Sequence, residues 1–451
     1  MGQTRRELLL QALWGGGAVG LRALATGLPA ALLTRPGAAA ARGDGSAGAL
    51  DDRSDGASAA GDAQFLILST SSAGDPVNAN TPGTYEHREI EHSADPRMRE
   101  TPLRLGKNRV TAAAPWASLP QPVLDRTLFF HHSTLAQSHP GHAQVLELLG
   151  TAGESAPAFY SRHLAARLGT AQRQPILIGT GERVLAGGRA LPRLSCTELR
   201  DALTRGPTPL AELVQLREQS LDAVHHRLRD RAAPAARALL DKHASSPAQT
   251  RDLGDRLLAD LHAISDDSTH AQVAAAAALV RLGAAPVVVI SIPFGGDNHF
   301  DYEFRAESEQ TVTGVAHIAA LLQKLKEYGV QDRTSFALLN VFGRTLHRHG
   351  RVGRDHWAGH HTAVLIGKPF AAGVIGGLEP RDGDFAATAI CATTGEAVPV
   401  GSQAAASRAV TVAADDTLPA LGQTLGRGLG VAPARLAAAF PGGQLVRAAL
   451  A

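Results

Sequence analysis

An α/β fold, with a mostly parallel central sheet and helices on both faces, is predicted by three observations. Short β-branched runs such as "PVVVISI" (286–292) and "TSFALLNV" (334–341) are continuously apolar, as strands buried on both faces must be. Between them lies "EQTVTGVAHIAALLQKLKEYG" (309–329), where Val315, Ile318, Ala319, Leu322 and Leu325 share one helical face and Gly329 ends the helix. Strand, helix, strand in that order implies a right-handed parallel unit. Apolar residues make up 44% of the 451, enough for a sizeable core and too many for a broadly disordered chain.

The N-terminus reads as an export signal. Arg5 and Arg6 precede an apolar stretch from Leu8 to Leu33, and Ala38–Ala40 offer the small residues a signal peptidase needs. The arginine pair and the glycines at 15–17 favour the twin-arginine route for residues 1–40, with a periplasmic or extracellular destination. Arg22 and the glycines interrupt any clean run of about 20 apolar residues, so no lasting membrane span is expected. Residues 41–62, rich in Gly, Ala, Ser and Asp, read as a flexible linker. The formal net charge is +2, of which residues 1–40 carry +3, leaving about −1 for the rest and nothing that points to nucleic acid. Cys196 and Cys391 are the only cysteines, so neither a disulfide framework nor a thiolate zinc site is expected, and whether the two pair stays open.

From residue 63 to 451 the pattern fits one α/β domain. "AQFLILST" (63–70) begins it as a buried strand, and "SSAGDPVNANTPG" (71–83) is loop chemistry. "RTLFFHH" (126–132) and "QPILIG" (174–179) read as strands and "GHAQVLELLG" (141–150) as a helix. Residues about 196–283 change to helical period and are expected to form a helical insertion. "TAVLIG" (362–367) reads as a further strand of the sheet, the glycines of "GVIGG" (373–377) as turns, and "TLPALGQTLGRGLG" and "PARLAAAF" as short C-terminal helices.

Ligands of parallel sheets bind at the carboxyl ends of the strands, and three such ends carry polar clusters. Asp75 follows the first strand, with Ser71, Ser72 and Thr81 near it; Asp297, His299 and Asp301 follow "PVVVISI"; Asp355 and His356 follow "TSFALLNV" within the arginine- and histidine-rich "FGRTLHRHGRVGRDHW" (342–357). Carboxylates and imidazoles converging from separate strands suit a divalent cation of the zinc, calcium or magnesium class. Asp297 and His299, two apart, point to the same side of an extended backbone and can share an ion. Asp355 and His356, being adjacent, share one only in a turn, or else serve two ions roughly 4 Å apart. Arg344 and Arg354 are candidate anion-binding groups, since guanidinium matches phosphate or sulfate oxygens in bidentate fashion. The plainer alternatives are a salt-bridged loop around Asp355 and partly buried hydrogen-bonding histidines at 131 and 132, while His139 and His142 stand where a helix should begin.

The block "FGRT…GRDHW" followed by "VLIGKPFAAGVIGG" resembles the C-terminal signature of the bacterial family called domain of unknown function 1501, and "FGGDNH" is similar to that family's Gly-Gly-Trp-Asp-Thr-His segment at Asp297 and His299. The resemblance implies an alkaline phosphatase-like or sulfatase-like fold and a metal-dependent ester hydrolase acting on a small anionic ester, or a secreted binding or matrix protein that has kept the fold without turnover. It matches at Asp297 and His299, and together with the strand-end reading it leaves Asp75, Asp297, His299, Asp355 and His356 as the candidate metal ligands. It supplies no nucleophile; Ser72 and Thr81 are the candidates. Val341 stands where the family commonly has glutamate, and valine there is expected to weaken metal binding.

Overall fold

The computed structural model describes residues 63–137, 139, 145–146, 153–179, 183–204, 254, 256–348, 352–401 and 411–451. The export signal, the linker, most of the 141–150 helix and the centre of the 196–283 stretch lie outside them.

An eight-stranded sheet forms the centre. In chain order its strands are β1 (Phe65–Ser69), β2 (Thr127–His132), β3 (Ile176–Ile178), β4 (Arg193–Leu194), β5 (Val287–Ile290), β6 (Thr334–Leu338), β7 (His361–Ile366) and β8 (Gly373–Ile375). Their spatial order is β8-β2-β7-β6-β1-β5-β3-β4. β1 lies in the middle, with Leu66 beside Ser335 of β6 and Val287 of β5, both parallel. β1, β2, β5, β6 and β7 are buried along their whole length, which is why none of them alternates apolar with polar residues.

The main helices are α1 (Ala156–Leu168), α2 (Cys196–Thr204), α3 (Thr269–Arg281), α4 (Arg305–Glu327), α5 (Thr417–Gly428) and α6 (Pro433–Ala439). α3 leads into β5, and α4 carries the chain from β5 over β1 to β6; the two helices pack together. The connection from β2 through α1 to β3 travels the opposite way along the sheet, so right-handed crossovers put α1 on the other face. There Tyr160 of α1 donates to the Gly422 carbonyl of α5 at 2.7 Å.

Three features refine these expectations. β7 runs antiparallel to both β6 and β2: among the described residues no helix crosses over between β6 and β7, and a small ribbon brings the chain back. Residues 373–375 form strand β8 instead of a turn: Val374 and Ile375 suit a strand, and β2 supplies the pairing partner through Leu128–Phe130. Of the 196–283 stretch, whose centre lies outside the described residues, α3 belongs to the central layers. Its residues 271–280 are all buried, and it packs on β5 as a helix of the central layers.

Candidate metal centre

The chain leaves β1, β2, β5 and β6 at one end of the sheet, and β7 starts there, so their flanking loops share a single surface. After β5, Gly295 and Gly296 take left-handed φ values of 120° and 60° and turn the chain toward β1. Asp75, wholly buried after β1, holds that turn by accepting the Gly296 N–H at 2.6 Å. Burial pushes the Asp75 carboxyl up to about 6, against the opposing bonds from Gly296, Ser71 and Phe294 and the charge of Arg344.

Beyond the turn the side chains alternate. Asp297 and His299 face one way, while Asn298 reaches the opposite way to donate to Glu307 Oε2 at 3.2 Å. The two halves of the "FGRT…GRDHW" block then meet as an antiparallel ribbon, Gly343–Arg344 against His356–Trp357, which sets Arg344 opposite His356. This ribbon docks edge to edge on the Asp297 loop: Gly353 N–H donates to the His299 carbonyl at 3.1 Å and Arg354 N–H to the Asn298 carbonyl at 3.2 Å. The motif glycines make the approach feasible. A Cβ at Gly353 would overlap the Asn298 carbonyl oxygen, and one at Gly343 the His360 carbonyl oxygen.

Four ligand atoms converge, from His139, Asp297, His299 and His356, all within 4.8 Å of one another. His299 Nε2 lies 2.9 Å from His356 Nε2 and 3.3 Å from Asp297 Oδ1. His139 Nε2 lies 3.2 Å from Asp297 Oδ2, and His356 Nε2 lies 4.0 Å from Asp297 Oδ1. A tetrahedral ion with bonds of about 2.1 Å separates its ligand atoms by roughly 3.4 Å, so these spacings bracket what such an ion needs.

The outer ring nitrogens are each anchored. His139 Nδ1 faces the Ser72 carbonyl at 3.1 Å, His356 Nδ1 the Gln137 carbonyl at 3.1 Å, and His299 Nδ1 the Asp355 carboxylate at 3.3 Å. A carbonyl or carboxylate only accepts, so each Nδ1 has an outward acceptor for its proton, which would leave the Nε2 of each ring as the ligand atom when an ion is bound. Burial, with the charges of Arg344 and His299, lowers the His356 pKa and favours its neutral ring. Burial works to raise the Asp297 carboxyl, but the Arg344 hydrogen bond and charge, with His299 and His139, outweigh it and hold Asp297 below its usual range. The cluster can hold a metal ion.

Several sequence-based assignments change at this point. Arg354 is not an anion clamp. It is fully buried, and its five N–H groups go to Glu307 (Nε, 2.8 Å; Nη2, 3.2 Å), the Thr345 and Leu346 carbonyls and the Glu91 carbonyl. Arg344 borders the cluster but is equally engaged, with the Gly74 and Ala73 carbonyls (2.6 Å each), Asp297 Oδ1 (2.8 Å), His299 Nε2 (3.2 Å) and the Arg354 carbonyl (3.4 Å). Asp355 stands behind His299 as an orienting group, and Asp75 holds the Gly296 turn; neither belongs to the four converging residues. Val341 packs in the apolar core, so the centre is built without that position. Ser72 is exposed and its carbonyl holds His139, whereas Thr81 is buried and donates to Thr362 at 3.1 Å. Both cysteines are free.

Two residues carry more than the sequence showed. His139 joins the cluster from the loop after β2; the strand-end rule applied to that strand too would have selected it. Glu307 had no such signal. It sits in the first turn of α4, where Asp301 caps the helix by accepting the Ala306 and Glu307 N–H groups at 2.8 and 2.9 Å. Its carboxylate receives Asn298, Arg354 and Asn80 (2.9 Å), and so ties the Asp297 loop to the His356 ribbon.

The family described as a protein of unknown function (DUF1501) matches residues 208–391. That span includes Asp297, His299, Arg344 and His356 but neither Asp75 nor His139. No curated protein matches the chain.

Proposed function

Starting from that family match, we propose that the protein is an exported, metal-dependent hydrolase of phosphate or sulfate esters with an alkaline phosphatase-like fold. The observation that carries the reading is the convergence of three imidazoles, each with its outer nitrogen anchored, on the carboxylate of Asp297. Three nitrogens and one oxygen suit an ion of the zinc class better than calcium or magnesium, which take oxygen ligands. His139, Asp297, His299 and His356 would hold such an ion, which would supply Lewis-acid polarisation of an ester oxygen and a lowered pKa for water. Arg344 keeps Asp297 ionised and in place, and of the two candidate nucleophiles Ser72, exposed and backed onto His139, is the accessible one. Among the described residues no helix is long and apolar enough to cross a membrane.

The test is metal content and turnover of the mature protein. About one zinc-class ion per chain should remain after dialysis, and His299→Ala or His356→Ala should each weaken binding by about tenfold or more. Aryl phosphates or sulfates should be cleaved by the loaded wild type alone. A second reading, a secreted metal-holding binding protein without turnover, is favoured by the bonding of all five Arg354 N–H groups within the fold and of Arg344 to the Gly74, Ala73 and Arg354 carbonyls and Asp297, which leaves little guanidinium capacity for a substrate anion. Full metal content without hydrolysis decides for that reading; absence of metal binding removes both. The twin-arginine leader predicts that changing Arg5 and Arg6 to lysine retains the precursor in the cytoplasm, and normal export of that variant would reject the route.

A further inference from the structure

Behind the metal centre lies a closed chain of buried hydrogen bonds that ends on Arg344. Asn78, in the turn Pro76–Ala79 after Asp75, grips the Arg344 backbone from both sides: its Nδ2 donates to the Arg344 carbonyl at 2.7 Å and its Oδ1 accepts the Arg344 N–H at 3.2 Å. The second Asn78 amide hydrogen faces His360 Nδ1 at 3.4 Å. His360 Nε2 lies 2.9 Å from His131 Nδ1, with the rings stacked at 5.2 Å, and His131 Nε2 lies 2.8 Å from the Pro82 carbonyl. Asn78, His131 and His360 are all fully buried.

The proton positions follow from the carbonyl end. Pro82 O can only accept, so His131 Nε2 carries hydrogen. A buried ring with no carboxylate among these contacts is neutral, so His131 Nδ1 is a lone pair. His360 Nε2 must then be the donor and its Nδ1 the acceptor, which is what the Asn78 amide requires. Every link agrees in polarity, from Pro82 to Arg344.

We propose that His131, His360 and Asn78 form a positioning relay of fixed proton polarity, which sets the place of Arg344 and through it the geometry of Asp297 and His299. The ribbon alone pairs Arg344 over only two residues, so Asn78 supplies the restraint that a longer strand would provide. Asn78, His131 and His360 are positioning residues; none belongs to the four converging ligands. The link to metal binding rests on the metal-centre reading, while the relay itself does not.

Nitrogen-15 NMR of the full protein at neutral pH tests the relay without metal. His131 and His360 should each be protonated at Nε2 and bare at Nδ1; Nδ1 protonation of either ring overturns the proposal. Exchange of the Arg344 Nε–H, which is bonded to the Gly74 carbonyl, should quicken about tenfold or more in Asn78→Ala and His360→Leu. His360→Asn, which places an acceptor where Nδ1 stood, should restore most of the protection. Unchanged exchange in the folded Asn78→Ala protein refutes the positioning role whatever the metal result. Should Asn78→Ala prove unfolded, the nearly isosteric Asn78→Asp serves instead: it removes the donor to His360 and should drive a proton onto His360 Nδ1, and an unaltered His360 tautomer would refute the relay. Titration with Zn²⁺ then tests the link to the centre, with an expected loss of about 10- to 100-fold in affinity for Asn78→Ala. Wild-type affinity in that variant severs the link, and a wild type that binds no zinc rejects the metal reading while leaving the tautomer and exchange results to decide the relay.

Discussion

Glu307→Ala is expected to lower stability by about 3–5 kcal/mol, the cost of leaving a buried charge without its partner. Glu307 and Arg354 are both fully buried, and the guanidinium meets the carboxylate through Nε and Nη2. The same substitution frees Asn298 and Asn80, so the Asp297 loop and the His356 ribbon lose their common anchor and metal affinity should fall as well. Urea unfolding and zinc titration read the two effects separately. A paired change, Glu307→Leu with Arg354→Met, should recover only part of the stability: it removes the uncompensated charge, but Asn80, Asn298 and two carbonyls lose their buried partners. It should not recover the affinity, since Asn298 still lacks its Glu307 partner and the Thr345 and Glu91 carbonyls lose Arg354. A loss below about 1 kcal/mol for Glu307→Ala would show that the pair is not the anchor described here.

Stability should also collapse on mild acidification. His131, His132, His360 and His361 are fully buried where β2 ends and β7 begins, with His132 directly paired to His361. Burial pushes His131 and His132 down to about 4 and the other two well below their usual range, with neighbouring imidazoles adding to the shift. In the unfolded chain each ring takes a proton near pH 6.5. The folded protein refuses it until about pH 4 at His131 and His132, so the unfolded state binds more protons in between. Their stabilisation is therefore complete above about pH 6.5 and is lost as pH falls toward 4. Asp75, raised to about 6, acts in the opposite sense, as one group against four. The net loss between pH 7 and pH 5 should be on the order of 5 kcal/mol, measured by urea unfolding of chelator-treated protein so that metal release does not contribute. Equal stability at the two pH values would contradict this, and His132→Leu with His361→Leu, which leaves His131 and His360, should reduce the dependence by about half.

Much of the architecture was legible because it rests on local pattern. The runs at 65–69, 287–290 and 334–338 are too apolar and too short to be anything but buried strands, and a helical period between the last two dictates the crossover by α4. The direction of β7 was not legible. "TAVLIG" has the same composition whichever way it runs, and only the connection between β6 and β7 decides.

The centre divides in the same manner. That Asp297, His299 and His356 sit at strand ends, and that a parallel sheet gathers such ends, follows from the sequence by itself, because strand direction and a two-residue side-chain period are chain-local properties. What each neighbouring group does was decided only in three dimensions. Arg344 and Arg354 look alike in the chain, yet one braces Asp297 and the other is sealed against Glu307. Asp355 and Asp75 look like ligands and serve as a brace for His299 and a clamp on Gly296. Asn78, Asn298 and Glu307 give no signal in sequence, because a polar side chain acquires its role from the partners that distant segments bring to it, and no periodicity records those partners.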